Sequence, residues 1–232
     1  MKTLIIIPAY NEALNIEKTI KDITEHTDYD YIVINDCSKD NTKEVCEKNG
    51  FPMLSLPVNY GLTSGIQLGM KYALQNGYDI AIQFDGDGQH QAKYLKDLEK
   101  EIQDGNCDVA IGSRFVTKKK PISIRMLGSN IIELAIKLVT GKKITDPTSG
   151  FRAVDKKIIE EFAKEYPTEY PEPESTVCML CKNYKVTEVP VNMNERQGGT
   201  SSIRFWKSAD YMLKVCLAII LDSMRKDKKN EK

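Results

Sequence analysis

The sequence predicts an α/β fold, a mostly parallel sheet with helices on both faces, and three observations carry that expectation. Short runs that are apolar throughout, among them LIIIP (4–8), YIVIN (31–35) and DIAIQF (79–84), recur along the first half of the chain. Between them lie segments with the three- and four-residue apolar spacing of helices. Strands apolar on both sides and separated by helices belong to a parallel sheet covered on both faces, because a half-solvated antiparallel sheet would alternate apolar and polar residues.

The elements follow in order. After LIIIP comes a helix from about 13 to 25. YIVIN leads to a helix near 41–49, with Asp40 as its N-cap. PMLSL (52–56) is a third strand, followed by a helix from about 62 to 75. DIAIQF is a fourth, with a helix near 92–104, and CDVAIGSRF (107–115) is a fifth. A loop holding Lys118, Lys119 and Lys120 precedes a helix near 124–140. DPTSGFRA (146–153) reads as a loop before a helix near 155–164, and YPTEYPEPE (166–174) as a proline-broken loop before another short helix. The strand KVTEVPV (185–191), the loop NERQGGTSS (194–202), a helix over about 203–225 and a basic tail complete the chain. No internal repeat or composition break argues for two folding units. Residues 1–204 are read as one domain and 205–232 as an amphipathic helix with its tail.

Composition excludes several classes. At 232 residues the chain can bury a sizeable core. Lys+Arg and Asp+Glu are each 33, so net charge is zero and no general nucleic-acid field is implied. The opening MKTLIIIPAY carries an apolar run too short for a signal segment, and no stretch approaches the ~20 apolar residues that span a bilayer, so a cytoplasmic location is expected. The six cysteines are scattered and read as reduced thiols. Cys178-Met-Leu-Cys181 is a lone CxxC, expected to pack on a helix face rather than bind zinc.

Polar clusters recur where strands end: Pro8-Ala-Tyr10-Asn11-Glu12, Asn35-Asp36, Asn59-Tyr60-Gly61, Asp85-Gly86-Asp87 and Gly112-Ser113-Arg114. All five would lie along the carboxyl edge of the sheet, where open α/β sheets bind ligands. No GxGxxG follows the first strand and no GxxxxGK[ST] occurs, which counts against a dinucleotide oxidoreductase and a P-loop nucleotidase. An EF-hand over 85–96 fails, since His90 stands where glycine is required and Lys96 where a bidentate glutamate belongs. What remains is a carboxylate pair suited to a hard divalent cation that bridges a substrate diphosphate.

The series IPAYNE, INDCSKD, NYG, FDGDGQH, GSRF, DPTSGFR, YPEPE and ERQGGTSS resembles the family 2 glycosyltransferases of the GT-A fold. Within them it is most similar to the branch of dolichyl-phosphate mannosyltransferase and bacterial polyprenyl-phosphate glycosyltransferases. The resemblance implies an inverting transfer from a UDP- or GDP-sugar, with Mg²⁺ or Mn²⁺ as cofactor. Pro8, Tyr10, Glu12, Asp36, Asn59 and Gly61 would bind the donor, Tyr10 and Glu12 at base and ribose and Asp36 at the base edge. Asp85 and Asp87 match the DxD motif, Asp87 on the metal directly and Gln89 as a further ligand. Arg114 and Arg196 would bring positive charge to the phosphates, Arg196 from a loop hinged at Gly198 and Gly199. Arg125 and Ser149 would meet the acceptor, and His90 would support the site rather than react.

The acceptor divides the readings. A polyprenyl phosphate is already anionic and needs no base, whereas a sugar hydroxyl needs a carboxylate, for which Glu172 and Glu174 are the candidates. A nucleotidyltransferase and a catalytically dead sugar-nucleotide-binding protein are the rivals from other classes. Tyr211, Met212, Val215, Cys216, Ile219 and Ile220 recur at helical spacing next to a basic tail. That pattern fits either packing on the domain or a peripheral membrane contact.

Overall fold

The computed structural model describes residues 1–121, 124–167, 169–194 and 217. The expected C-terminal helix, its basic tail and the loop carrying Arg196, Gly198 and Gly199 lie outside the described residues, Leu217 excepted.

Among the described residues, seven strands form one sheet in the order β3-β2-β1-β4-β6-β5-β7. They are β1 (Thr3–Ala9), β2 (Asp30–Asn35), β3 (Met53–Ser55), β4 (Ile80–Gln83), β5 (Val109–Ser113), β6 (Arg152–Asp155) and β7 (Val186–Pro190). β1 pairs in parallel with β2 and β4, β2 with β3, and β5 with β7. β6 runs antiparallel between β4 and β5, with Gln83 and Ile111 both opposite Arg152. The carboxyl ends of the other six strands and the amino end of β6 therefore share one edge.

Among the described residues, seven α-helices cover the faces: α1 (Ile16–His26), α2 (Thr42–Asn49), α3 (Leu62–Gln75), α4 (Leu95–Gln103), α5 (Ile124–Thr140), α6 (Lys156–Lys164) and α7 (Pro171–Cys181). Alternation along β1 divides the core. Leu4 and Ile6 pack with residues of α3, α5, α6 and α7, while Ile5 and Ile7 pack with residues of α1 and α4. All four are fully buried, which is why the strand reads as a continuous apolar run.

Four expectations need correction. DPTSGFRA is not all loop: its last two residues, Arg152 and Ala153, open β6. That strand is four residues long with an arginine at its start, so it shows neither the length nor the pattern of its neighbours. The YPEPE segment is not all loop either, since α7 begins at Pro171. Proline is tolerated in a first turn, where amides have no intrahelical acceptor to lose. α1 starts at Ile16, three residues later than the apolar spacing suggests, because Asn15 and Ile16 amides both donate to the Glu12 carbonyl in a turn. Asp40 stands one residue outside the N-cap of α2, where its carboxylate accepts the Thr42 amide at 3.0 Å and the Ala13 amide at 3.1 Å. Cys178 and Cys181 both lie on α7, half-buried against the core and not in a disulfide.

Candidate active site

The shared edge gathers the polar clusters, and hydrogen bonds join them to one another. Asn11 adopts a left-handed backbone (φ 58°); its amide donates to Ser38 Oγ at 3.0 Å and its side chain accepts the Lys39 amide at 2.8 Å. The Glu12 amide donates to Thr42 Oγ1 at 2.9 Å. The loop after β1 is thus fixed to the loop after β2. Tyr10 stands exposed on it, and Pro8 lies within β1 opposite Ile34.

Asp36 is buried, and its carboxylate accepts the amides of Tyr60 and Gly61, both at 2.8 Å. Asn59 Nδ2 donates to the Asp36 carbonyl at 3.2 Å. Gly61, at φ 84°, is the N-cap of α3, so the carboxylate holds the entry to a helix, where a negative charge is favourable. The structure brings Asp36, Asn59 and Gly61 together, with the Asp36 side chain turned to the protein's own amides.

The DGDGQH turn follows β4. A Cβ on Gly86 would stand 3.2 Å from the Pro8 carbonyl oxygen, so the turn lies against β1, and Gly88 takes a left-handed φ of 75°. Asp87 is buried and accepts the Gln89 amide at 3.0 Å; Asp85 is about a third exposed and accepts Gln83 Nε2 at 3.2 Å. Asp85, Asp87 and Gln89 therefore share one short turn. Among the described residues no cluster of three His, Cys, Asp or Glu side chains forms a closed metal cage. Two hard carboxylates and an amide oxygen on an open edge fit a Mg²⁺- or Mn²⁺-type ion whose remaining ligands come from water and phosphate.

His90 lies beneath this turn, stacked on Phe151 at 4.8 Å between ring centroids. Its Nδ1 accepts the Asp85 amide at 3.0 Å. Its Nε2 is 3.6 Å from Asp85 Oδ2, too long for a hydrogen bond. Burial pushes its pKa down, against the pull of Asp85 and Asp87, so a neutral ring supports the turn. A cavity of about 370 Å³, bordered by Asn15, Lys18, Gln91 and Lys93, flanks the same turn on its α1 side.

The loop before β6 closes the other side. Ser149 is buried, and its hydroxyl donates to the Gly112 carbonyl at 2.6 Å. Gly150 packs directly on Asp85 and Gln83. Arg114 forks onto the fully buried Asp146, Nε–Oδ2 at 2.7 Å and Nη2–Oδ1 at 2.8 Å. The amides of Thr145 and Asp146 donate to the Glu188 carboxylate. Sequence reasoning expected Arg114 at a phosphate; in the structure its charge is matched by Asp146, so it braces the loop.

Sequence reasoning passed over Arg152. It is buried, and its guanidinium donates to the carbonyls of Ser149 (2.7 Å) and Pro147 (3.1 Å) and to Ser175 Oγ on α7 (2.7 Å). Burial pushes its pKa down, opposed chiefly by Glu172, but a guanidinium stays charged at any working pH. Burial likewise raises the Glu172 carboxyl; Arg152 opposes the shift and the nearby charge of Asp85 adds to it. Glu172 therefore belongs to the site's electrostatic cluster. Glu174, in the first turn of α7, is buried. Arg125 falls in the first turn of α5, its side chain outside the described residues.

The undecaprenyl-phosphate mannosyltransferase of Micrococcus luteus is 28% identical over 88% of this chain and 88% of its own. The dolichol-phosphate mannosyltransferase of Pyrococcus furiosus is 30% identical over 88% of this chain and 60% of its own. Glucosyl-3-phosphoglycerate synthase from Mycobacterium tuberculosis, solved with Mn²⁺, uridine diphosphate and glucosyl-3-phosphoglycerate, superposes with a TM-score of 0.71 over 96% of this chain and 80% of its own, at 14% identity, a likeness of fold. Residues 4–163 match the family described as Glycosyl transferase family 2, and the chain belongs to that family of glycosyltransferases.

Proposed function

We propose that this glycosyltransferase is inverting and metal-dependent and moves a sugar from a nucleotide-sugar donor to a polyprenyl phosphate. The observation that carries the reading is the DGDGQ turn, with Asp85 and Asp87 between the donor-side loops of β1 and β2 and the Ser149–Gly150 loop. Asp85, Asp87 and Gln89 would hold Mg²⁺ or Mn²⁺, and such an ion would neutralise the diphosphate leaving group as its charge develops. The protein's own part is positioning. Asp36 fixes the Tyr60–Gly61 turn, Tyr10 and Glu12 lie on the donor-side loop, and Arg196 would add charge. The reacting phosphate is already anionic, so direct attack on the anomeric carbon needs no general base.

Relatives named for mannose transfer to undecaprenyl and dolichol phosphates support the lipid acceptor. So does a surface. Leu127, Ile131, Leu134 and Leu138 form an exposed apolar stripe on α5, opposite the buried Ile132 and Ile136. Lys118, Lys119, Lys120 and Lys143 border a groove of about 410 Å³ beside that helix, with Glu133 pairing two of them. An apolar stripe with a basic border suits an anionic membrane surface. No helix among the described residues is long and apolar enough to cross a membrane, and the contact proposed for α5 is a peripheral one.

A second reading, transfer to a sugar hydroxyl, is favoured by Glu172, whose raised pKa and proximity to Asp85 suit a base. Incubation with UDP- and GDP-sugars, Mn²⁺ and either polyprenyl phosphate or a glycan tests both. Release of nucleoside diphosphate with the lipid alone supports the first reading, and release only with the glycan supports the second. Pyrophosphate release from a sugar phosphate and a nucleoside triphosphate would mark a nucleotidyltransferase instead.

A further inference from the structure

Beyond β7 the chain reaches the carboxylate-bearing turn at Asn194. Val191 is buried, with its amide on the Ser113 carbonyl at 2.9 Å, and Met193 packs against the core on the α4 side. The two residues that flank Met193 face different loops. Asn192 Nδ2 donates to Tyr94 OH at 2.9 Å, and its Oδ1 accepts from Lys118 Nζ. Asn194 uses three groups on one target: its amide donates to the Gln89 carbonyl at 2.8 Å, its Nδ2 donates to the Gly88 carbonyl at 3.3 Å, and its Oδ1 accepts Gln91 Nε2 at 2.8 Å.

The other end of this contact is Asp87, since the Gln89 amide donates to Asp87 Oδ1. A single peptide unit thus separates the Asn194 contact from the carboxylate. Gly88 at φ 75° gives the turn a backbone shape that is one of several its sequence allows, so contacts from outside the turn help to select it. We propose that Asn194 is the positioning residue that holds the Asp85–Gln89 turn in its metal-ready shape. The proposal rests on the metal-binding reading of that turn. A clamp removes the ordering cost that the cation would otherwise meet on binding, so its loss weakens the ion rather than the fold. Asn194 is exposed, and its amide bond to Gln89 survives any side-chain change.

The test compares wild type with Asn194→Ala, Gln91→Ala, the double variant and Asn192→Ala. Mn²⁺ binding is titrated by electron paramagnetic resonance of the free ion, with and without UDP, and metal-free thermal unfolding is recorded for each. Asn194→Ala should weaken Mn²⁺ roughly tenfold, as expected for the loss of two hydrogen bonds of ordinary strength, with Tm within about 2 °C of wild type. Gln91→Ala should weaken it less, and the double variant should match Asn194→Ala, because Gln91 acts through Asn194. Asn192→Ala should bind Mn²⁺ like wild type. Unchanged Mn²⁺ affinity in Asn194→Ala, additive losses in the double variant, or an equal loss in Asn192→Ala overturns the proposal while wild-type binding stands. A wild type that binds no Mn²⁺ overturns it together with the metal reading.

Discussion

Gly150 lies so close to Asp85 that a Cβ on it would stand 2.9 Å from Asp85 Oδ2 and 2.8 Å from Gln83 Nε2. The loop before β6 therefore reaches the first carboxylate of the DGDGQ turn with no space for a side chain. Gly150→Ala should push Asp85 out of place, lowering Mn²⁺-dependent turnover at least tenfold while costing about 1–3 kcal/mol of stability from overpacking. Steady-state kinetics over a Mn²⁺ series, alongside thermal melts, check both parts.

Asp36 offers a second test. Its carboxylate accepts two backbone amides at 2.8 Å, so Asp36→Asn would turn a donor toward one of them. An unpaired buried amide costs about 1–3 kcal/mol, and the variant should lose that much stability together with donor affinity. Urea unfolding and UDP titration measure the two losses. Unchanged stability with an altered preference between UDP and GDP would mean instead that Asp36 reads the base.

The α5 stripe can be tested without the lipid acceptor. Leu134 and Leu138 are 56% and 77% exposed, so Leu134→Glu/Leu138→Glu should leave Tm within about 2 °C. Binding to phosphatidylglycerol-rich vesicles at low salt should fall sharply in co-sedimentation. Truncation after Ser208 separates this surface from the C-terminal segment: if truncation alone removes vesicle binding, α5 is not the contact.

Asp155 gives a pH prediction. It accepts the Ile158 amide at 3.0 Å as the N-cap of α6, yet burial raises its pKa, with nearby Asp108 adding to the shift. A carboxyl with a raised folded pKa costs stability once it ionises, so the penalty is absent below its unfolded value near 3.8 and complete above its folded value. Asp155→Asn keeps an acceptor for the cap and removes the charge. Its stability relative to wild type should rise between pH 4 and pH 7, whereas Asp155→Ala should cost about 1 kcal/mol at both. Urea melts at the two pH values decide it.

Much of the sheet was legible because β1, β2 and β4 are buried on both faces and read as unbroken apolar runs. The DGDGQH turn was legible because two carboxylates separated by one residue at the end of such a run have few other uses. β6 and the start of α7 were not, since four residues carry little periodicity and prolines in a first helical turn look like a loop. The pairing of Arg114 with Asp146 spans 32 residues, and Asn194 meets its turn across more than 100. Contacts of that separation leave no local signal, so neither the Arg114–Asp146 pair nor the hold of Asn194 on the turn was legible.

The central claim is that the Asp85–Asp87 pair drives sugar transfer through a divalent metal. It is tested most directly by nucleoside diphosphate release from UDP- and GDP-sugars with polyprenyl phosphate, comparing wild type and Asp87→Asn over a Mn²⁺ series and in excess EDTA. Wild-type turnover should require Mn²⁺ or Mg²⁺ and vanish in EDTA. Asp87→Asn should be slower by at least a hundredfold with its Tm preserved, a loss of about 2.7 kcal/mol or more in transition-state stabilisation. Full turnover by Asp87→Asn, or by wild type in EDTA, would contradict the account.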